Sequence, residues 1–345
     1  MKAVLLHEHG GPENLLYDDF PSPSINHSQV LVKIKAVALN RLDLFVRKGI
    51  PNLKLELPHI LGSDIAGEVV EIGSEVSNLD QGQRVIIDPG LYCGYCQYCV
   101  RGEHSLCNRY GIIGEHSRGG YAEFIAVNNQ NVIPIPDYSP LEFAEAAATP
   151  LTFMTAWRLL ITRADLKPGE DVLITGIGGG VALAALQIAK LVGARVFVTS
   201  SSDEKLQKAL KLGADVGINY LEHPDYHTQI WQLTNKQGVD VVVDSAGQAT
   251  WEKSIRTLRK GGRFVTCGAT TGPVANININ LLFWKQLSLY GSTMANRSEL
   301  DAVLKLIWQN QLRPIVDRMF PLKDAQKAHE YLENGKQFGK VILLP

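Results

Sequence analysis

Short apolar runs rich in β-branched residues dominate the first third of the chain. QVLVKIKAVAL, IAGEVVEIG, QRVIIDPG and YAEFIAV are separated by turn residues, and each reads as a strand. Their spacing shows no internal repeat and predicts a compact, barrel-like domain. Helical signals begin near residue 139. Ser139-Pro140-Leu141-Glu142 offers a cap, a proline at the first helical position and a glutamate to close a capping box. Thr149-Pro150 opens the next helix in the same way, and that helix is expected to carry the chain into a second domain.

From residue 170 the texture changes. DVLIT, ARVFVTS, VDVVVDSAG and RFVTCGA read as strands, and LAALQIAKLVG, DEKLQKALKLGA and WEKSIRTLRKGG as the helices between them. Strands alternating with helices predict parallel βαβ units and a doubly wound sheet. The apolar strand LSLYGSTM falls near an edge of that sheet. An exposed apolar edge is removed by pairing between subunits, so a homodimer, or a homotetramer built from dimers, is expected. Helix RSELDAVLKLIWQ, strand RPIVDRMF, helix KDAQKAHEYLENG and strand KVILLP follow; they either extend the second domain or return to the first.

A length of 345 residues allows two domains of ordinary size. The net charge of −1 gives no electrostatic reason to expect nucleic acid or an anionic membrane as partner, and no basic stripe with aromatics appears. The opening MKAVLLHEHGG has its apolar run broken by His7 and Glu8, so it does not read as a secretory signal. No apolar stretch reaches membrane-spanning length, and a cytoplasmic location is expected.

Four of the five cysteines change the picture. Cys93, Cys96, Cys99 and Cys107 follow the spacing C-x2-C-x2-C-x7-C, and four thiolates so placed can close a tetrahedron around one zinc ion. Gly94 and Gly102 let the chain wrap tightly around an ion. An iron–sulfur cluster uses a similar triplet, but its fourth cysteine comes sooner and before proline, whereas Asn108 follows here. Disulfides or free thiols are the remaining alternatives. Zinc thiolates and few other cysteines suit a reducing compartment.

The turn Gly176-Ile177-Gly178-Gly179-Gly180-Val181 lies between a predicted strand and helix, with Ala182 as a small third position. Glycines let backbone approach a pyrophosphate, and the helix start supplies N–H groups and a positive dipole end. Within a βαβαβ series this is a dinucleotide site. The next strand ends at Thr199-Ser200, where an acidic residue would select NAD through the ribose hydroxyl. Ser200 and Ser201 with Lys205 instead suit a 2′-phosphate, so NADP(H) is expected; the alternative is that Asp203 or Glu204 takes the ribose.

The order of these motifs resembles the medium-chain dehydrogenase/reductase superfamily, the zinc-type alcohol dehydrogenases and their quinone oxidoreductase relatives. The resemblance runs through MKAVLLHEHGGPENL, ALNRLDLFVRKG, LPHILGSDIAGEVVEIGSEV, the four-cysteine lobe, GGYAEF, TPLTFMTAW and the nucleotide-binding segment. It implies an α/β protein: a GroES-like β-barrel domain over 1–149, a doubly wound Rossmann domain over 150–290, and a tail over 291–345 returning to the first domain. It places the active site in the cleft between the two domains. It also implies that Thr155 contacts the nicotinamide and that Tyr220 flanks the 2′-phosphate.

Relatives with catalytic zinc carry a cysteine where this chain has Asn40, a histidine–glutamate pair where it has Ser63-Asp64, and a third ligand near Leu151. Asn40 with Asp43 and Arg47 is what quinone and enone reductases of the superfamily show. The implied reading is a structural zinc retained and a catalytic zinc lost. His59, Asp64, Glu115 and His116 are the candidates for a replacement metal, but no two of them share a close ligand spacing. The resulting expectation is an NADPH-dependent reductase of quinones, enones or small carbonyl compounds. Asn40 would hydrogen-bond the substrate oxygen or the nicotinamide ribose. Ser63, Asp43 and His116 are the candidates to relay a proton, and Asp43 can equally be structural, bonding nearby backbone. The alternatives are a zinc-type alcohol dehydrogenase with unusual ligands and an NADPH-binding sensor without turnover.

Overall fold

Parallel pairing in the middle of the chain begins at Asp171. The computed structural model describes residues 1–345 and divides them into two units, Thr152–Ala295 and Met1–Leu151 joined by Asn296–Pro345.

In the unit Thr152–Ala295, six parallel strands lie in the spatial order Val216–Asn219, Arg195–Ser200, Asp171–Ile174, Val239–Asp244, Leu258–Thr266, Ser288–Gly291. This is the doubly wound order in which the first and fourth strands meet at the switch point. Buried valines and isoleucines fill the central strands, as expected where both faces are covered. Phe197 and Phe264 are fully buried in the core beside Ile230 and Ile255 from the helices, each phenyl contributing about 2 kcal/mol relative to exposure. The helix Gln248–Thr257 stops earlier than its RKGG continuation suggested. Leu258 turns into extended backbone and pairs with Val239, and Gly261 takes φ +72°, so the basic residues lie within the next strand. The strand Ser288–Gly291 occupies an edge of the sheet.

The other unit is built on a seven-stranded mixed sheet. Its order is Val316–Pro321, Lys340–Leu344, Gln29–Ala38, Asp64–Ile72, Arg84–Ile87, Val132–Pro134, with Phe124–Asn128 also paired to Gln29–Ala38. Both strands of the tail therefore belong to the first part of the chain. Register decides which side chains meet at the strand ends: Ala38 lies opposite Asp64 on one side and Ile342 on the other. The helix expected from Ser139 begins later, at Phe143–Ala147, because Glu142 has the extended cap conformation and its N–H meets the Glu145 carboxylate at 3.3 Å. The helix opened by Thr149-Pro150 runs Pro150–Trp157 as read.

Candidate active site and metal lobe

Three strand ends converge in the mixed-sheet unit. Asn40 follows the end of Gln29–Ala38, Asp64 begins Asp64–Ile72, and Lys340 begins Lys340–Leu344. The Lys340 ammonium lies 2.5 Å from Asn40 Oδ1 and 2.9 Å from Asp64 Oδ2. Asn40 Nδ2 donates to the same Asp64 oxygen at 2.9 Å and to Ala38 O at 3.4 Å. Asp64 Oδ1 accepts from Leu151 N at 2.8 Å. An ammonium only donates, so the orientation of the Asn40 amide is fixed, with its oxygen to Lys340. All three side chains are buried, Asp64 completely and Lys340 to 4 % exposure. Next to Asp64 in the chain, the buried Ser63 hydroxyl has no hydrogen-bond partner.

Local backbone supports this group. Asp43, in the first turn of the helix Arg41–Lys48, accepts from Asn40 N at 2.6 Å and from Gly62 N at 3.0 Å. Only glycine fits at position 62: φ is +100°, and a Cβ would lie 2.5 Å from the Tyr121 ring. Burial pushes the Asp43 carboxyl up to about 6, against the pull of these N–H groups and of the Lys340 charge.

A second polar chain runs behind Asp43. Arg47, fully buried, donates through Nη1 to His329 Nδ1 at 3.3 Å and through Nη2 to Glu333 at 2.7 Å. Because Arg47 can only donate, His329 carries its proton on Nε2, which faces the Tyr121 hydroxyl at 3.0 Å. The Asp43 carboxylate and burial together hold the Tyr121 phenol well above its ordinary pKa, burial being the larger cause.

The cysteine lobe is a separate site. The short strands Gly90–Leu91 and Gly111–Ile112 pair antiparallel at its base. Gly94 and Gly102 take φ of +80° and +76°, the tight wrapping that their spacing suggested. All four sulfurs lie within 4.8 Å of one another, with close separations of 3.6 Å for Cys96–Cys99 and Cys93–Cys107 and 3.9 Å for Cys93–Cys99. Tetrahedral zinc with Zn–S bonds of about 2.3 Å requires S···S separations of about 3.8 Å. The N–H groups of Cys96 and Arg109 point at Cys93 Sγ and Cys107 Sγ at 3.4 and 3.3 Å, which favours thiolates. The donor set therefore fits a zinc ion. It is the only group of three or more His, Cys, Asp or Glu side chains close enough to share a metal.

In the parallel-sheet unit, the glycine turn sits between the strand Asp171–Ile174 and the helix Gly180–Val192. Gly176 has φ +66°, and a Cβ there would meet nothing within 4 Å, so the backbone borders open space. Thr199 holds the turn, accepting from Ile177 N at 2.8 Å and Gly176 N at 3.3 Å. At the switch point Asp244 accepts from Thr175 Oγ1 at 3.0 Å, Thr250 Oγ1 at 2.5 Å and Gly247 N at 2.8 Å. Thr155, on the helix Pro150–Trp157, has a buried hydroxyl without a partner. An open glycine turn at a helix start and an orphaned hydroxyl are what a bound dinucleotide would complete.

Two family models match this chain, an alcohol dehydrogenase GroES-like domain over residues 26–137 and a zinc-binding dehydrogenase domain over residues 180–309. An NAD-dependent alcohol dehydrogenase of Sulfolobus acidocaldarius is 33% identical, over 99% of both chains. The quinone oxidoreductase of Homo sapiens is 30% identical, over 100% of this chain and 98% of its own. A crystal structure of an NAD-dependent alcohol dehydrogenase superposes with a TM-score of 0.96 at 44% identity, each chain covered completely.

The chain belongs to the medium-chain dehydrogenase/reductase superfamily. It has the GroES-like and Rossmann domains of that superfamily and is an NAD(P)-dependent oxidoreductase. No helix is long and apolar enough to cross a membrane.

For this medium-chain dehydrogenase/reductase the predicted site residues separate into distinct places. Asn40, Asp43 and Asp64 are brought together, with Ser63 next to Asp64 in the chain. Asp43 bonds backbone, the structural alternative considered for it. The Asn40 amide is engaged by Lys340, Asp64 and Ala38, rather than left open toward a substrate. His116 is exposed, its Nδ1 accepting from Ile112 N at 3.2 Å and lying 3.6 Å from the Glu115 carboxylate; no hydrogen bond joins it to the buried group. His59 is buried and bonds Gly114 O at 3.1 Å. At the end of Arg195–Ser200, Ser200 is buried with Oγ accepting from Ser202 N at 3.1 Å, whereas Ser201 is exposed. The Asp203 carboxylate is held by Asn219 Nδ2 at 2.8 Å. Lys205 lies in the first turn of the helix Asp203–Lys211, its N–H capped by Ser202, and Tyr220 N bonds Ser200 O at 3.0 Å. The residue that sequence reasoning missed is Lys340. Its signal was a lone lysine at the head of an otherwise apolar strand.

Proposed function

We propose that this protein reduces quinones or α,β-unsaturated carbonyl compounds with NADPH, using one structural zinc and no catalytic metal. The observation that carries the reading is the Lys340 ammonium lying between Asn40 and Asp64. Two of the positions where zinc-type relatives bring metal ligands are thereby joined to an organic cation, and at the third Leu151 offers a backbone N–H to Asp64. Oxidising a simple alcohol needs its alkoxide stabilised, which a metal does by lowering the hydroxyl pKa. An enolate or quinol oxygen is far less basic, and hydrogen bonds from fixed donors suffice for it. A reduced dinucleotide, with its pyrophosphate at the glycine turn and its nicotinamide at Thr155, would supply the hydride.

The choice of NADPH is supported by the absence of a carboxylate at Ser200 and by the engagement of Asp203 with Asn219. Subunit pairing through Ser288–Gly291 is supported by its edge position and by exposed Phe283 and Trp284 on the neighbouring helix Ile279–Trp284, 59% and 76% accessible. The thiolate lobe suits a reducing compartment such as the cytoplasm; a Cys93–Cys107 disulfide in protein taken directly from cells would contradict that placement.

Initial rates with NADPH and with NADH against a panel of quinones, enones and alcohols test the reading. Quinone or enone reduction should exceed alcohol oxidation at least about tenfold, and added zinc should not restore alcohol oxidation. Ser200→Asp should shift preference toward NADH. Efficient alcohol oxidation that is lost with chelator and regained with zinc would overturn the proposal. A wild-type preference for NADH would overturn its cofactor part.

A further inference from the structure

The strand Phe124–Asn128 is paired on one side only, to Gln29–Ala38. Ile34 N donates to Glu123 O at 2.8 Å, and Asn129 N to Ser28 O at 3.1 Å. Hydrogen-bonded pairs alternate along an antiparallel ladder. Ile125 and Val127 therefore bond inward, and Phe124, Ala126 and Asn128 turn their N–H and C=O groups to the open edge. No other backbone group of the protein bonds them. The other two edges of this sheet are blunted. Val132–Pro134 is short and ends in proline, and Val316–Pro321 carries Asp317, Arg318 and Pro321. The run FIAVN has neither charge nor proline. Two cavities flank it within the same unit. One, of about 420 Å³, is walled by Leu91, Ile113 and Val127; the other, of about 350 Å³, by Phe20, Ile60 and Phe124. Arg118, Ile125 and Ala126 line both. Arg118 is weakly held. Its ion pair is with Glu56 at 3.2 Å, whose side chain is 84% exposed, and it otherwise meets Pro58 O at 3.5 Å and the Phe20 ring.

We propose that the edge of Phe124–Asn128 is a docking site for an extended segment of a partner protein, one with an acidic side chain between two apolar ones at alternate positions. The segment adds to the sheet as a further strand. Its main chain bonds the free groups of Phe124, Ala126 and Asn128, its apolar side chains enter the two cavities, and its carboxylate meets Arg118. Side chains on one face of a strand lie about 7 Å apart, so three of them span about 14 Å, the length of this five-residue strand. Charge selects the occupant. A second copy of the chain, pairing FIAVN with FIAVN, brings no carboxylate from that strand. A two-fold axis at Ala126 would also set one Arg118 against another, because Arg118 lies between the cavities. An acidic partner has no such repulsion and replaces a screened pair with one shielded by its own backbone. This docking site is independent of the reductase reading.

The test uses full-length, zinc-loaded protein and capped, fluorescein-labelled heptapeptides in which threonine alternates with leucine, glutamate and leucine (TLTETLT), together with versions carrying valine or phenylalanine for leucine. Fluorescence anisotropy should show saturable binding of at least one peptide below about 1 mM. Lysine in place of its glutamate should weaken binding at least about tenfold, and Arg118→Glu should invert that preference. Ala126→Pro removes only an outward N–H. Proline is tolerated on an edge whose N–H faces solvent, so the ladder to Gln29–Ala38 stays, as melting temperature and zinc content will verify. This variant should lose at least about tenfold in affinity. A second measurement leaves the protein untouched. Alternate amides of a strand point to opposite edges, so N-methylation at the peptide's glutamate or at the threonine before it should abolish binding in one case and spare it in the other. Absence of saturable binding by every peptide, or binding indifferent to both Ala126→Pro and N-methylation, would overturn the proposal. Light scattering in which Ala126→Pro alone lowers the oligomeric state would also overturn it, because a second copy would then hold the edge.

Discussion

Acidification should remove the stability that a neutral, buried His329 contributes to this protein. The imidazole is completely buried, and its pKa is lowered to about 3, first by burial and then by the Arg47 guanidinium. The unfolded chain takes up this proton near pH 6.5, whereas the folded protein does so only near 3, so the stability is present above 6.5 and falls as pH drops through that value. Between pH 7 and pH 5 the loss from this one side chain is about 2 kcal/mol. Asp43 and Asp88 act in the opposite sense. Burial raises each carboxyl to about 6, so the folded state takes those protons first and gains stability as pH falls from about 6 toward 3.8. The slope of the wild type alone therefore does not isolate His329, but comparison with His329→Gln does. Glutamine can accept from Arg47 and donate to Tyr121 without titrating. The variant should be less stable at pH 7 by about 1 kcal/mol, for imperfect hydrogen bonds. At pH 5 that deficit should vanish or reverse, a relative change of about 2 kcal/mol. Urea midpoints by intrinsic fluorescence, with slopes compared to ensure like denatured states, measure it. A deficit that stays constant to within about 0.5 kcal/mol would refute a buried neutral His329 held by Arg47.

The cysteine lobe and the sheet edge each carry a test of their own. Cys99→Ser should abolish the stoichiometric zinc, one per chain in the wild type by metal analysis, and lower stability by at least about 3 kcal/mol while nicotinamide affinity changes little; a well-folded, metal-free wild type would contradict this. Light scattering at micromolar concentration should report a dimer or tetramer, and Trp284→Lys with Phe283→Lys should shift it toward monomer; a wild type found only as monomer would remove the edge-strand pairing.

Much of the architecture was legible in the chain. Strands such as DVLIT and VDVVVD announce themselves because both faces of a parallel sheet are covered, so nearly every position is apolar. The strand Val216–Asn219 and the helix Tyr226–Leu233 carried no comparable signal: the strand has only four residues, one of them Gly217, and exposed apolar residues such as Trp231 and Leu233 blur the helical face. The helix start at Ser139 was misplaced because cap chemistry recurs at Glu142, and only the backbone conformation chooses between them. The cysteine lobe and the glycine turn were readable because each is local, its donors lying within a few residues that any fold must keep near one another.

The buried group around Lys340 is different in kind. Asn40, Asp64 and Lys340 lie 24, 276 and 300 positions apart in their pairwise bonds, and nothing in the spacing relates them. Sequence by itself determined the strand from Lys340 to Leu344, its apolar character, and the loss of cysteine and histidine at Asn40 and Ser63. Tertiary structure alone decided that the tail strand pairs beside Gln29–Ala38, in the register that puts Ile342 opposite Ala38 and Ala38 opposite Asp64. The physical reason is that strand pairing is non-local: backbone hydrogen bonds are the same for every partner, and the choice of neighbour and register comes from burying whole apolar faces together. That choice places a lysine charge against a carboxylate away from water.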